Sequence, residues 1–229
     1  MDGVDLQVPT GELRAIIGPN GSGKTTLFHL LSRTLEPTAG RIIFRGRDIT
    51  RLPQHRMAHL GLARSFQVTN LFPELSVFEN LRIAVQARRV GLDFWRGADG
   101  LREINERAEV LLADMGLRAR RDDLASSLSH GEQRYLEIGI ALAADPVLLL
   151  LDEPTAGMSP KETAEVTRFI VGLRGRVTIL LVEHDMDIVM NVADLVTVLH
   201  QGRVIDEGPP TVIARHPDVR KIYLGEEDA

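Results

Sequence analysis

Apolar and polar positions follow two rhythms along this chain, and the places where the rhythm changes mark its elements. Val4, Leu6 and Val8 are spaced two apart, and Leu13-Arg14-Ala15-Ile16-Ile17 follows after the turn residues Pro9-Thr10-Gly11; both stretches predict short strands. Residues 25–31 predict a helix, and Pro37-Thr38-Ala39-Gly40 turns the chain into another strand over 41–45. A further strand is expected over 60–66, ending at Phe66-Gln67. From about 76 to 144 the spacing becomes helical. Val77, Phe78, Leu81, Ala84 and Val85 share one face, as do Ile104, Ala108, Leu111, Leu112 and Met115, with Gly116 as the stop. Residues 90–100 carry three glycines and Trp95 and predict a loop between those helices. A helix is expected over 133–144. Strand and helix then alternate again: strand 147–151, helix 160–173, strand 177–182. Parallel α/β units at both ends with a helical block between them imply one α/β domain over 1–229. In it, 1–75 and 145–229 form the core and about 76–144 a helical subdomain.

Composition narrows the class without naming a chemistry. The 229 residues suffice for a substantial core. With 44% hydrophobic and 26% charged residues the chain has a globular profile. No apolar run approaches the ~20 residues that span a bilayer, and the run 146–151 suits a buried parallel strand. No secretory signal is read at the start. The absence of cysteine excludes disulfides and thiolate metal sites and fits a reducing compartment. A net charge of −5 argues against nucleic acid as a partner. Neither internal repeats nor low-complexity segments occur.

The chemistry concentrates at residues 18–25, Gly18-Pro19-Asn20-Gly21-Ser22-Gly23-Lys24-Thr25, followed by Thr26. This is a complete G-x-x-x-x-G-K-[ST] loop, set between a predicted strand and a predicted helix as such a loop must be. The glycines let the backbone curl and turn its N–H groups inward. Those donors and the positive end of the following helix make a cradle for phosphate oxygens. Lys24 can reach the β- and γ-phosphates, and the Thr25 hydroxyl is placed to ligate Mg²⁺. The expected ligand is a nucleoside triphosphate, ATP, with Mg²⁺.

A second station is the strand over 147–151, which ends in Asp152-Glu153. The carboxyl end of a parallel strand is where an open α/β sheet binds ligands. Asp152 suits direct or indirect support of Mg²⁺, and Glu153 suits polarising the water that attacks the γ-phosphate. A third station is Leu128-Ser129-His130-Gly131-Glu132 at a helix start. Ser129 and Glu132 have the spacing of a capping box, and a serine hydroxyl with free N–H groups also suits an anion. His184 just beyond the strand over 177–182 is a fourth station.

The phosphate loop, Gln67, Ser129 to Glu132, Asp152-Glu153 and His184 stand in the order seen in ATP-binding-cassette transporter ATPases, and the resemblance covers essentially the whole chain. It is most similar to the ATPase subunits of branched-chain amino acid importers, through Gly61 to Gln67, Leu136 to Gly139, Asp152 to Pro160, Val182 to Met186 and a tail over 217–226. Urea importers and the lipopolysaccharide-export ATPase have similar subunits. The resemblance implies a P-loop NTPase core with an antiparallel β subdomain and an inserted helical subdomain. It implies a homodimer, or a heterodimer with a paralogous ATPase, closed head to tail around two ATP molecules. Ser129 and Gly131 of one subunit would complete the γ-phosphate shell of the other. Glu153 would be the general base, His184 a γ-phosphate contact, and Gln67 a ligand near Mg²⁺ at the start of a segment facing the membrane subunits. Two integral-membrane permease subunits and an extracytoplasmic solute-binding protein are the further partners it implies, at the cytoplasmic face of the inner membrane. Phe72-Pro73-Glu74-Leu75 and Val77-Phe78 are most simply core of the helical block, and the resemblance implies in addition that this surface receives a coupling helix from a membrane partner.

Departures from the family pattern set further expectations. His130 stands where relatives have glycine and Glu132 where they have glutamine, but Ser129 and Gly131 remain, so anion binding should survive. The segment Ala156-Gly157-Met158-Ser159 lacks the aspartate many relatives carry, which removes that residue from communication across the dimer. No aromatic precedes Phe28, where relatives stack one on adenine, so weakened ATP affinity or weak base selectivity is expected. A repair or translation cassette would bring a long insertion or a second cassette, and a small kinase or GTPase would not need residues 128–132.

Overall fold

The computed structural model describes residues 1–65, 71–89, 98–217, 219 and 221. In chain order the strands are β1 (Leu13–Ile17), β2 (Ile43–Phe44), β3 (Arg47–Asp48), β4 (Leu62–Arg64), β5 (Leu148–Asp152), β6 (Thr178–Val182), β7 (Leu195–His200) and β8 (Arg203–Gly208). The helices are α1 (Lys24–Leu31), α2 (Met57–Leu60), α3 (Val77–Arg89), α4 (Ala98–Asp114), α5 (His130–Ala143), α6 (Pro160–Gly172), α7 (Met186–Val192) and α8 (Pro210–Ile213). Six strands form one sheet in the order β4-β5-β6-β1-β7-β8, parallel except for β8, which runs antiparallel along β7. β2 and β3 make a separate antiparallel pair.

The near-continuous apolar runs of β1, β5 and β6 follow from burial on both faces, as a parallel sheet covered by helices requires. Successive side chains therefore enter two different cores. Leu13, Ala15, Ile17, Leu149, Leu151, Ile179 and Leu181 face one cluster, which continues into α3, α4, α5 and α6. Ile16, Leu148, Leu150, Leu180 and Val182 face the other, with Leu27 and Phe28 of α1. Register pairs Ile16 with Val182 and Asp152 with Val182, so the carboxyl ends of β1, β5 and β6 finish side by side. The phosphate loop, Glu153 and His184 all leave the sheet from that edge.

The chain departs from the sequence expectation in four places. Residues 4–8 are in no strand; Val4, Leu6 and Val8 pack on the second core, but their backbone joins no ladder. The strand expected over 41–45 shortens to β2, paired with the unanticipated β3. Gly100 lies inside α4, so the expected loop does not reach 100, and its 90–97 part, with Phe94 and Trp95, is outside the described residues. β7, β8, α7 and α8 were not read from the sequence. Phe66 and Gln67, and the tail over 217–226 apart from 217, 219 and 221, also fall outside the described residues.

Candidate functional site

β1 delivers the chain into the loop at Gly18, whose position tolerates no side chain: a Cβ there would lie 2.1 Å from the Leu199 carbonyl oxygen on β7. The loop is thereby clamped to the neighbouring strand. Ser22 N–H donates to the Pro19 carbonyl at 3.1 Å, and Gly202 N–H donates to the Ser22 carbonyl at 2.8 Å. Gly23 holds φ at 110° as the N-cap of α1, with no capping side chain and no acidic residue in the first turn. A helix start whose N–H groups no side chain caps is what an anion needs. Pro19 is half-buried, while Asn20, Gly21, Thr25 and Thr26 are exposed.

Lys24 is buried and its ammonium donates to the Gly18 and Pro19 carbonyls at 2.6 and 3.0 Å. Burial lowers its pKa, and the charges of Glu153 and then Asp152 pull it back up. The lysine therefore already feels both carboxylates across the end of the sheet. Ser22 Oγ and Asp152 Oδ1 are buried without a hydrogen-bond partner among the described residues. Both are polar atoms that a phosphate chain with a hard cation would satisfy, so the residues present fit such a group.

Asp152 is held from the other side. Arg64 at the end of β4 donates through Nη2 to Asp152 Oδ2 at 3.0 Å, with the two side chains 7% and 1% exposed. Arg134 on α5 donates through Nη2 to the Asp152 carbonyl at 3.1 Å and through Nη1 to Glu137 at 2.9 Å. These two arginines tie the end of β5 to β4 and to α5, and the sequence reading missed both. A buried arginine inside an apolar helix face was the one available sign.

Beyond β5, Glu153 N–H donates to the Val182 carbonyl at 2.9 Å, and the chain then turns with Glu153 at φ 46°. A left-handed glutamate costs about 1 kcal/mol and is held by the turn that follows, Ala156 N–H to Glu153 O at 3.2 Å. That turn leaves the Glu153 side chain 31% exposed, with its Oε1 3.9 Å from Nδ1 of the 63%-exposed His184. Below them, Glu183 is fully buried and accepts from Thr155 Oγ1 at 2.7 Å, while its Oε2 has no partner among the described residues. Burial pushes the Glu183 carboxyl up, against the opposing hydrogen bonds from Thr155.

Ser129 and Gly131 lie elsewhere. Ser129 caps α5: its Oγ accepts from Glu132 N–H at 3.2 Å, and its own N–H donates to Glu132 Oε2 at 2.8 Å, the capping box expected. Among the described residues no hydrogen bond joins Ser129 or Gly131 to the phosphate loop. Instead Ser129 Oγ donates to Glu162 Oε1 at 2.9 Å. Glu162 also closes a second capping box with Ser159 at the start of α6, a pattern the spacing Ser159-x-x-Glu162 makes readable though it was not read. Phe28, the first aromatic in the chain, is fully buried with the Arg64 guanidinium 5.9 Å above its ring, so it does not face a base. Gln67 is outside the described residues.

Comparison with known proteins agrees with this layout. The family profile described as ABC transporter matches residues 1–156, and one described as branched-chain amino acid ATP-binding cassette transporter matches residues 203–229. The high-affinity branched-chain amino acid transport ATP-binding protein BraF of Pseudomonas aeruginosa is 40% identical over 235 residues, covering 99% of this chain and 92% of that protein. The lipopolysaccharide export system ATP-binding protein LptB of Acidithiobacillus ferridurans is 37% identical over 225 residues, covering 98% and 90%. A nucleotide-free ATP-binding cassette from an ABC transporter superposes with a TM-score of 0.84 at 32% identity, covering 99% and 93% of the two chains. A dimeric cassette in a post-hydrolysis state bound to ADP and Pi superposes at 0.76 with 26% identity, covering 90% and 89%. The parallel sheet with its clamped phosphate loop, and likeness over nearly the full length, lead to one assignment: the chain belongs to the ATP-binding-cassette transporter family, as a nucleotide-binding ATPase subunit.

Proposed function

We propose that this subunit drives uptake of branched-chain or other amino acids. Two cassettes, identical or paralogous, close head to tail around two ATP molecules and dock on two integral-membrane permease subunits fed by an extracytoplasmic solute-binding protein. The observation that carries the two-subunit part is the division of anion donors within one chain. Among the described residues the loop at 18–26 has its own helix start and lysine but no bond to Ser129 or Gly131, at a second helix start with anion-binding chemistry. A second copy supplies what one copy keeps apart. The cargo class is supported by the relationship to BraF together with the match of residues 203–229. The weaker likeness to LptB supports a second reading, lipopolysaccharide export. One domain spans 1–229, with 1–75 and 145–229 as the nucleotide-binding core and about 76–144 as the helical subdomain.

In this reading Gly18 to Thr26 wrap the triphosphate with backbone N–H groups, and Lys24 moves its ammonium from the Gly18 and Pro19 carbonyls to the β- and γ-phosphate oxygens. Thr25, Gln67 and Asp152 would hold Mg²⁺, which neutralises charge on those oxygens. Glu153 takes the proton of the attacking water as general base, and His184 beside it holds the γ-phosphate edge. Ser129 and Gly131 of the facing subunit close the site. ATP thus links the two copies while it lasts, and hydrolysis releases them. Phe72 is 52% and Leu124 47% exposed, on two segments that meet where Ala125 N–H donates to the Leu75 carbonyl, while Val77 and Phe78 are buried in the core. That apolar patch suits a coupling helix of the permease. No helix among the described residues is long and apolar enough to cross a membrane, which fits peripheral attachment at the cytoplasmic face.

The test is purification of the complex with its membrane subunits, followed by ATPase assay with leucine, urea and lipopolysaccharide in turn. Stimulation by leucine with its binding protein supports the proposal. Stimulation by lipopolysaccharide alone transfers the subunit to the second reading.

A further inference from the structure

The tip of α5 that the proposed mechanism offers to the partner's γ-phosphate already holds an anion in this chain. Ser129 Oγ donates to Glu162 Oε1 at 2.9 Å. Gly131 makes room for the same carboxylate, since a Cβ there would lie 2.3 Å from Glu162 Oε1. The other carboxylate oxygen, Oε2, accepts from Ser159 N–H at 2.9 Å and from Ser159 Oγ at 2.7 Å. One glutamate thus joins the start of α5 to the start of α6, 33 residues apart in sequence. No cation in the chain forms an ion pair with it among the described residues. Its charge is balanced only by these donors and by two helix N-termini.

We infer that Glu162 is a built-in stand-in for the γ-phosphate, which keeps Ser129 and Gly131 occupied in the open subunit and must be displaced from them when the ATP-bridged pair closes. The inference rests on the head-to-tail reading and adds to it a residue that sets how much ATP closure demands. Two anions do not share one hydroxyl donor at one helix tip without strong repulsion, so Glu162 and the incoming phosphate compete. The competition also gives the open subunit an ordered tip, since the latch fixes α5 against α6. Hydrogen bonds from Ser159, then Ser129, hold the Glu162 carboxyl at about 2, so the competing group is anionic throughout the range in which ATP binds. The His130 imidazole carbon lies 3.6 Å from where a Cβ on Gly157 would stand, in the turn that precedes α6. On the two elements themselves the charged neighbours are Glu132, which pairs with Arg120 at 3.5 Å, and Lys161, next to Glu162 in sequence.

Glu162→Gln isolates the charge. Glutamine still closes the capping box with Ser159, so α6 keeps its start, while the stand-in anion is gone. The variant is made in a Glu153→Gln background, in which hydrolysis does not dissolve the dimer. The ATP concentration at which half the protein sediments as a dimer is then read by analytical ultracentrifugation. That midpoint is expected to fall about tenfold on Glu162→Gln, the factor that one charge-assisted contact represents at 1.4 kcal/mol per decade. The gain is expected to shrink at high salt, because charge repulsion is screened and packing is not. A midpoint that is unchanged, or raised, overturns the inference. If Glu153→Gln alone forms no ATP-dependent dimer, the head-to-tail reading falls and the competition with it. A second readout needs no dimer: the Glu162 carboxyl of the nucleotide-free protein, followed by ¹³C NMR, should titrate well below an ordinary glutamate and move upward in Ser129→Ala. An ordinary titration in both proteins shows that the latch does not exist.

Discussion

The two anion-binding regions of this chain are built in opposite ways. At the phosphate loop the polar groups are buried ahead of any ligand. Lys24 is folded back on two carbonyls, Ser22 Oγ and Asp152 Oδ1 have no partner among the described residues, and Gly18 is pressed against β7. At the start of α5 the donors are exposed and satisfied from within, by Glu132 and Glu162. The first region is preorganised and leaves its unmet demand in place, as an electrostatically prepared site does. The second keeps itself quiet until something displaces its own carboxylate. In the proposed head-to-tail reading, a subunit that binds nucleotide before it closes would use that asymmetry by meeting ATP first through the prepared half.

The widest separation between the halves should appear in turnover. Glu153→Gln keeps the turn at the end of β5 and removes the base. ATP hydrolysis is expected to fall by ~10²–10⁴ while ATP binding persists. Phosphate release and nucleotide binding measured on the same preparation check it; turnover near that of the unaltered protein would remove Glu153 from the base role.

Next in size is the scaffold under the prepared half. Arg64 and Asp152 are both buried, and removing one leaves the other charge without its main counter-ion. Arg64→Leu is expected to destabilise the fold by about 3 kcal/mol, read as a lower urea midpoint at unchanged slope. An unchanged midpoint would mean that the Asp152 charge is borne by other groups. Lys24→Ala should cost less in stability and more in binding. The Gly18 and Pro19 carbonyls can turn to water, but the triphosphate loses a charged donor, and its Kd should rise ~10–100-fold by calorimetry.

Most of the prepared half was legible in sequence because it is contiguous. Glycines, lysine and threonine at fixed spacing need only a strand before and a helix after, and β1 and α1 supply them. The capping box of α5 was legible for the same reason, since its partners are three residues apart. Long-range ties were not. Arg64 finds Asp152 across 88 residues and Ser129 finds Glu162 across 33, and nothing local announces either. The strand expected over 4–8 failed for a related reason. Alternation reports which side chains are buried, and Val4, Leu6 and Val8 do pack on the second core. It does not report where the backbone N–H groups find partners, and that decides whether a strand exists. β7 was missed although its four central residues are as buried as those of β1, β5 and β6.

The smallest effect concerns the carboxylate beneath the two halves, and its sign can be worked out. Burial raises the Glu183 pKa above its unfolded value, so between those two values the folded chain holds a proton that the unfolded chain has lost. Stability must then fall as pH rises from about 4.5 toward the folded pKa, and level off above it. Glutamine at 183 keeps an acceptor for the Thr155 hydroxyl and has no charge to desolvate. Glu183→Gln should therefore match the parent at the acid end of that window and exceed it at neutral pH, as thermal unfolding across a pH series would show. Since His184 and Thr155 both adjoin Glu183, the same variant reports on how the turn carrying Glu153 is held. If turnover survives while the pH slope disappears, the buried proton serves the fold. If turnover falls as well, the Thr155–Glu183 bond positions the base, and the prepared half extends one layer deeper than its exposed residues.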